Sequence, residues 1–221
     1  MTDRPDEEAP SGDPPANCRL CPRLVAFREA NRVAFRDFHN APVASFGEPA
    51  ARLLVVGLAP GLKGANRTGR PFTGDYAGDL LYPTLVDHGF ASGRYEARPD
   101  DGLTLVGCRI TNAVRCVPPE NRPTTSEIKT CRRFLAAEMA AMPRLAAVLA
   151  LGTVAHNAVL AVTGRKAAAH KFAHGAVHDL DGITLHDSYH CSRYNLNTRR
   201  LTEAMFHAVF DALRARLAGP A

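Results

Sequence analysis

The sequence predicts an α/β protein whose mainly parallel sheet is covered by helices on both faces. Four short apolar runs read as buried strands: Leu53–Gly57, Leu103–Cys108, Ala146–Leu151 and Ile183–His186. Helical patterns separate them, over Gly78–His88, Thr124–Met142 and Thr153–Val162. Strands that alternate with helices need crossover connections, and crossovers place helices against the sheet faces. No internal repeat and no second domain is visible.

Taken in order, residues 1–15 hold Asp, Glu, Pro, Gly and Ser with almost nothing to bury, and are predicted to be disordered. Residues 16–221 are predicted to form one domain. Cys18-Arg19-Leu20-Cys21-Pro22 opens it, followed by a short helix from Arg23 to Asn31. Val33 to Pro49 is mixed and mostly loop, with Phe35, Phe38 and Phe46 as packing points. In Gly78–His88, Leu80, Leu81, Leu85 and Val86 fall close to helical spacing. Thr124–Met142 carries the clearest start signal: Pro123, then Thr124 and Glu127 spaced as a capping box. A basic loop, Gly164 to His174, follows the alanine-rich helix. Asn197-Thr198 is expected to cap a final helix from Arg199 to Leu217, with Leu201, Met205, Val209, Leu213 and Leu217 on one face.

A chain of 221 residues, 46% of them hydrophobic, is large enough for a substantial core. The net charge is +5, with arginine far ahead of lysine, which suits a polyanionic partner such as nucleic acid. No apolar run approaches membrane-spanning length, so no membrane partner is expected. Met1–Pro15 has no hydrophobic segment and is not a secretory signal. A cytoplasmic protein is expected, acting as a monomer.

Six cysteines in a cytosolic chain read as metal ligands or buried thiols rather than disulfides. Cys18 and Cys21 form a CxxC that brings two thiolates to one metal or one cluster. Cys116 lies in a loop beside Pro118 and Pro119, and Cys131 lies on the capped helix. Four thiolates suit either tetrahedral zinc or an iron–sulfur cluster. Cys108, at the end of a predicted strand, reads as a core thiol. Cys191 sits beside a histidine, but no acyl-transfer constellation accompanies it.

Three loops that follow strands are candidates for chemistry, because open α/β sheets bind ligands beyond the carboxyl ends of their strands. Five glycines and two prolines fall between Gly57 and Gly74, together with Arg67, Arg70 and Phe72, and Asp75 follows directly. Such a loop bends sharply and lets backbone approach a ligand. The second loop is Thr111-Asn112-Ala113-Val114-Arg115-Cys116, where the Asn112 amide offers both a donor and an acceptor to a nucleobase edge. The third runs from Tyr189 to Arg200. Its His190, aromatic Tyr194 and three arginines suit a phosphate backbone and a hydrogen-bond donor. His39, His88, His156, His170, His174, His178, His186 and His207 have no comparable setting and are assigned to surface or core.

These features occur in an order that resembles the uracil-DNA glycosylase superfamily, most closely its family 5, the iron–sulfur type of bacteria and archaea. The resemblance rests on Gly57-Leu58-Ala59-Pro60-Gly61, on the run Asn66 to Asp75, on Asn112, on the His190 loop and on the four cysteine positions. It spans nearly everything from Cys18 to the last helix. It implies a three-layer α/β/α sandwich around a four-stranded, mainly parallel sheet. It also implies a [4Fe–4S] cluster on Cys18, Cys21, Cys116 and Cys131. Family 4 carries an acidic residue at the place of Ala59, whereas family 5 looks to the aspartate matching Asp75. The chain departs from the superfamily pattern at Cys191, where proline is usual, and at Arg199-Arg200, where a Gly-containing pair is common.

The resemblance further implies a monofunctional glycosylase that flips uracil, or another deaminated base such as hypoxanthine, out of DNA and hydrolyses its glycosidic bond to begin base excision repair. Phe72 would stack on the base. Asn112 would bond its edge, and Gly57, Leu58 and Ala59 would wall the pocket. His190 would donate to the carbonyl oxygen where charge grows. Asp75 would activate water or act through its charge. Arg67, Ser192, Arg193 and Arg199 would hold the DNA, with Leu196 as a wedge. A narrower family 4-type enzyme is the competing expectation. A non-catalytic metal-containing DNA-binding module and a redox protein are further alternatives.

Overall fold

The protein is described by a computed structural model over residues 12–219. In chain order the elements are α1 (Pro22–Ala34), β1 (Leu53–Gly57), α2 (Ala65–Thr68), α3 (Tyr76–Asp87), β2 (Ala91–Ser92), β3 (Thr104–Leu105) and β4 (Cys108–Asn112). A 3-10 turn at Pro119–Asn121 leads to α4 (Thr125–Ala140), β5 (Ala147–Leu151), α5 (Thr153–Val162), β6 (Val177–Asp179), β7 (Thr184–Ser188), α6 (Arg193–Asn197) and α7 (Glu203–Ala218).

The central sheet has five strands, not four, in the order β4-β1-β5-β7-β6. β1 runs parallel to both β4 and β5, and β5 runs parallel to β7. The extra strand, β6, pairs antiparallel with β7 at the edge. Its Val-His-Asp sequence has no buried face to betray it.

Strand side chains alternate between two cores, as a pleat requires. Leu53 and Val55 pack with Leu81 and Leu85 of α3 and with Phe206, Phe210 and Leu213 of α7. Leu54 and Val56 face the other way, onto Leu135 and Met139 of α4 and Val159 of α5. The result is the three-layer α/β/α arrangement. No helix among the described residues is long and apolar enough to cross a membrane.

Two expected boundaries moved, each for a physical reason. The run Leu103–Cys108 is not one strand. Gly107 takes φ +58, a left-handed turn, and splits it. Thr104–Leu105 pairs with Ala91–Ser92 in a small antiparallel ribbon, and the sheet strand begins only at Cys108. Cys108 therefore starts a strand, although it is buried as expected. The final helix also starts later than Arg199. Thr198 ends the short α6, and Thr202 caps α7 by accepting from the Met205 N–H at 3.2 Å. The α7 face buries Phe206 and Phe210 together with the predicted Val209 and Leu213, Met205 and Leu217 are partly buried against the same core, and Leu201 packs there from just before the helix.

The capping box of α4 forms in full: Thr124 Oγ1 accepts from the Glu127 N–H, and Glu127 Oε2 accepts from the Thr124 N–H at 2.7 Å. Of the predicted tail, residues 1–11 lie outside the described residues. Gly12 and Asp13 pack against buried Arg115, whose guanidinium donates to Asp13 Oδ1 at 2.6 Å and pairs with Glu138. Arg109 donates to the other Glu138 oxygen at 2.7 Å, so this buried carboxylate has a guanidinium on each side.

Arg199 takes φ +55, in the left-handed region where a side chain is strained and glycine is not. Left-handed backbone costs a non-glycine residue roughly 1–2 kcal/mol. Arg199→Gly is therefore expected to raise the thermal midpoint, by the equivalent of about 1 kcal/mol, in a denaturation experiment; a lower midpoint would show that the arginine side chain supplies more than the backbone loses.

Candidate active site

Parallel strands deliver their carboxyl ends to one edge, and three candidate loops meet there. β1 and β4 remain joined past the strands: the Ala113 N–H donates to Gly57 O at 2.9 Å and the Val114 N–H to Leu58 O at 3.0 Å. Asn112 is thus the last residue of β4, paired with Gly57, rather than a loop residue. A cleft of about 500 Å³ opens at this edge. Its walls include Leu58, Ala59, Gly61, Asp75, Asn121, Gly152, His190, Ser192 and Arg193, drawn from loops after β1, β4, β5 and β7.

The glycine loop is held from below. Buried Arg70 makes a two-pronged bond to Asp101, at 2.8 and 2.7 Å, and lies against the rings of Phe46 and Tyr82. The Tyr82 hydroxyl donates to Pro71 O at 2.6 Å, and the Tyr95 hydroxyl donates to Phe72 O at 3.2 Å. Of the two loop arginines, Arg70 is therefore structural, while Arg67 is exposed. Gly57 and Gly64 are required by close approach. A Cβ on Gly57 would overlap the Asn112 amide and the Phe72 ring, and one on Gly64 would overlap the Asp75 carboxylate.

Asp75 is the N-cap of α3, accepting from the Ala77 N–H at 3.2 Å. Burial pushes its carboxyl above the usual aspartate range, against the bonds from the Ala77 and Gly78 N–H groups that pull it down. His190 is half-buried in the cleft wall, and burial lowers its imidazole to about 4, so the ring is neutral near pH 7. Its Nδ1 has no protein partner among the described residues. The Asn195 side-chain amide donates to His190 O at 2.8 Å and holds the loop closed.

The structure brings Asp75, His190, Leu58 and Ala59 together around the cleft. Phe72 and Asn112 lie behind it, buried against Gly57, with Phe72 stacked on the His190 ring at a centroid distance of 5.9 Å. Ser192 caps α6 and Arg193 leans over the Tyr76 ring at 4.9 Å, both at the rim. Arg67, Arg193 and Arg199 are exposed and take part in none of the ion pairs among the described residues. Leu196, the expected wedge, is half-buried against the core. The side chain exposed on that turn is Tyr194, at 71%. Asn121 is the other residue that sequence reasoning missed. The signal available was its place after Pro118-Pro119, between two cysteines that had to be drawn together.

Those cysteines form a second centre on the far side of Ala59. Cys18, Cys21, Cys116 and Cys131 are all free thiols and line one small apolar cavity with Leu24 and Phe134. Burial, with added repulsion from the neighbouring sulfurs, raises Cys21 to about 11 and Cys116 to about 12. Donors are aimed at them: the Arg115 backbone N–H donates to Cys131 Sγ at 3.3 Å, and the Arg28 guanidinium places Nη1 3.9 Å from Cys116 Sγ. Four thiols that share one cavity are a donor set for a metal ion or an iron–sulfur cluster.

Comparisons with known proteins agree with this arrangement. Residues 44–214 match the sequence model described as the Uracil DNA glycosylase superfamily. The chain is 48% identical over 208 residues to the Type-5 uracil-DNA glycosylase of Thermus thermophilus, covering 91% of this chain and 94% of that one. It is 43% identical over 205 residues to the Type-5 uracil-DNA glycosylase of Pyrobaculum aerophilum, covering 89% of each. Identity to the Type-4 uracil-DNA glycosylase of the same organism is 31% over 153 residues, 68% of this chain and 63% of that one. With Ala59 at the wall of the cleft and the four cysteines gathered behind it, the chain belongs to the uracil-DNA glycosylase superfamily, in its type-5 branch.

Proposed function

We propose that this protein is a monofunctional DNA glycosylase that hydrolyses the N-glycosidic bond of uracil in DNA, accepts hypoxanthine and other deaminated bases, and so initiates base excision repair. The observation that carries this reading is the convergence of a half-buried carboxylate, Asp75, and a neutral imidazole, His190, on one cleft in a chain of this family. A base inside a duplex cannot reach that cleft, so the nucleotide must flip out, at roughly a few kcal/mol. Tyr194 takes the wedge role in place of Leu196, because it is the exposed ring beside the rim. Arg67, Arg193, Arg199 and Ser192 grip the flanking phosphates.

The flipped base rests against the backbone of Gly57, Leu58 and Ala59. Phe72 supports the His190 ring from behind, and Asn112 and Asn121 offer amides to the base edge. His190 donates a hydrogen bond to the carbonyl oxygen on which charge grows as the bond breaks. The bonding electrons leave with the base. Water adds at the sugar carbon and passes a proton to Asp75, leaving an abasic site. The small Ala59 side chain keeps the cleft wide enough for a purine, which supports hypoxanthine as a substrate.

Cys18, Cys21, Cys116 and Cys131 hold a [4Fe–4S] cluster that ties α1 to α4 and to the loop carrying Asn121. The shared cavity and the donors from Arg28 and the Arg115 backbone support this assignment. Purified protein is expected to be brown and to contain about four iron atoms per chain; a colourless protein with one zinc would overturn it.

Strand scission by alkali on duplexes carrying one altered base tests the activity. Asp75→Asn is expected to lose most uracil release, on the order of a hundredfold or more, while still binding DNA. Because water activation needs the ionised carboxylate, the wild-type rate should fall on acidification with a midpoint above the ordinary aspartate value. Near-normal release by Asp75→Asn would remove the carboxylate from the mechanism.

Tyr194→Ala should slow release from duplex DNA more than from single strands, where there is no stack to fill. Equal slowing on both substrates would assign Tyr194 to binding alone.

A further inference from the structure

Beneath the His190 loop lies a side-chain cluster that the reaction above does not use. Asp187 of β7 is 0% exposed and His156 of α5 is 1% exposed. Asp187 Oδ1 lies 2.7 Å from His156 Nδ1, and its Oδ2 lies 3.0 Å from Nε2 of His178 on β6. His156 Nε2 in turn lies 2.8 Å from the carbonyl oxygen of His170. A carbonyl only accepts, so Nε2 must carry a proton. Nδ1 then faces the carboxylate oxygen of Asp187.

The three ligand atoms lie within 4.8 Å of one another, which also brings a metal ion to mind. The spacing favours direct hydrogen bonds. Ligand atoms about 2.0–2.1 Å from a tetrahedral zinc stand about 3.3 Å apart. The His156 contact, at 2.7 Å, is shorter, and each histidine takes its own carboxylate oxygen.

Asp187 stands three residues before His190, and the surrounding bonds all converge on that short stretch. The Gly175 N–H donates to Asp187 O, and the Asp187 N–H donates to Ala176 O, both at 2.9 Å. The Gly152 N–H donates to Ser188 O at 2.8 Å, and the Tyr189 N–H donates to His174 Nδ1 at 3.2 Å. One buried carboxylate therefore ties α5, β6 and the loop through His170 to the strand that delivers His190.

We propose that the His156–Asp187–His178 network is a positioning device for His190, fixing the direction in which the chain leaves β7 and hence where the imidazole stands over the cleft. The proposal rests on the reading of His190 as the donor to the departing base. Misplacing a reacting group by about 1 Å costs roughly a hundredfold in rate. The loss should be larger in the chemical step than in DNA affinity, because Arg67 and Arg199 lie away from the exit of β7, although Ser192 and Arg193 follow His190.

The experiment measures single-turnover uracil release, DNA affinity and visible absorption for Asp187→Asn, His178→Ala and His178→Gln. Each is made both in the wild-type chain and in a His190→Ala chain. Asp187→Asn and His178→Ala are expected to slow release roughly ten- to hundredfold in the wild-type chain. In the His190→Ala chain the same changes should cost less than about twofold, because residues acting through one group are not additive. His178→Gln keeps an N–H near the Nε2 position and should recover most of the His178→Ala loss. Absorption should stay unchanged, and affinity should fall less than the rate. Equal losses in both chains, no loss in the wild-type chain, or a zinc ion released by Asp187→Asn would overturn the proposal. If His190→Ala alone left the rate unchanged, the reading of His190 would fail first, and the proposal with it. Should Asp187→Asn not fold, the His178 pair decides the question.

Discussion

The continued pairing of β1 with β4 beyond the sheet is the constraint on which the rest of the site depends. Two backbone bonds, from Ala113 to Gly57 and from Val114 to Leu58, carry the ladder past its last strand residues. The chain after β1 must therefore leave toward the cleft, and the chain after β4 must leave toward the cysteines. Ala59 marks the boundary: it lines the cleft on one side and packs in the cysteine-lined cluster on the other. A side chain larger than a methyl there would press on both centres at once. The cysteine centre and the cleft are consequently two faces of one short piece of backbone, and ordering one orders the other.

The cysteine side of this boundary is reinforced by charge rather than by apolar packing alone. Arg115 is almost fully buried, yet its guanidinium meets Glu138, Asp13 and Ser45, and its backbone N–H meets Cys131. Buried ion pairs of this kind add little net stability compared with a hydrophobic replacement, but breaking one partner leaves a stranded charge. The network specifies one arrangement of α4, β4 and the N-terminal segment. That arrangement sets where Cys116 and Cys131 fall.

Much of this was legible from sequence because the signals were local. β1, β5 and α5 announced themselves by unbroken apolar or alanine-rich runs, and α4 by the Thr124–Glu127 box. The gathering of the cysteines and the glycine loop followed from residue type and spacing. The parts that were not legible depend on tertiary partners. β4 contains Arg109 and Thr111, polar residues buried only because Glu138 and Ser45 meet them. β6 is an edge strand with exposed Val177 and no periodic pattern. The choice between Tyr194 and Leu196 is made by Ser192, whose cap sets the phase of a five-residue helix. Asn121 reaches the cleft only because the chain between two distant cysteines is folded back. His156 and His178 looked like ordinary core histidines until β7 brought Asp187 between them.

Asp75, the carboxylate proposed to act on water, is held at some expense to the fold. As the N-cap of α3 it favours the helix. As a half-buried carboxylate it is harder to ionise in the folded chain than in the unfolded one. A folded-state value raised above the unfolded one means that the folded protein binds this proton more tightly. The stability contribution is full below the ordinary aspartate range and is lost as pH rises through the raised value. At neutral pH the carboxylate is thus a standing load on the native state, relieved by any neutral residue of the same shape. Gly61 and Gly64 make room for that load, since a Cβ on either would meet Asp75 Oδ2, at 3.0 Å from Gly61 and closer still from Gly64.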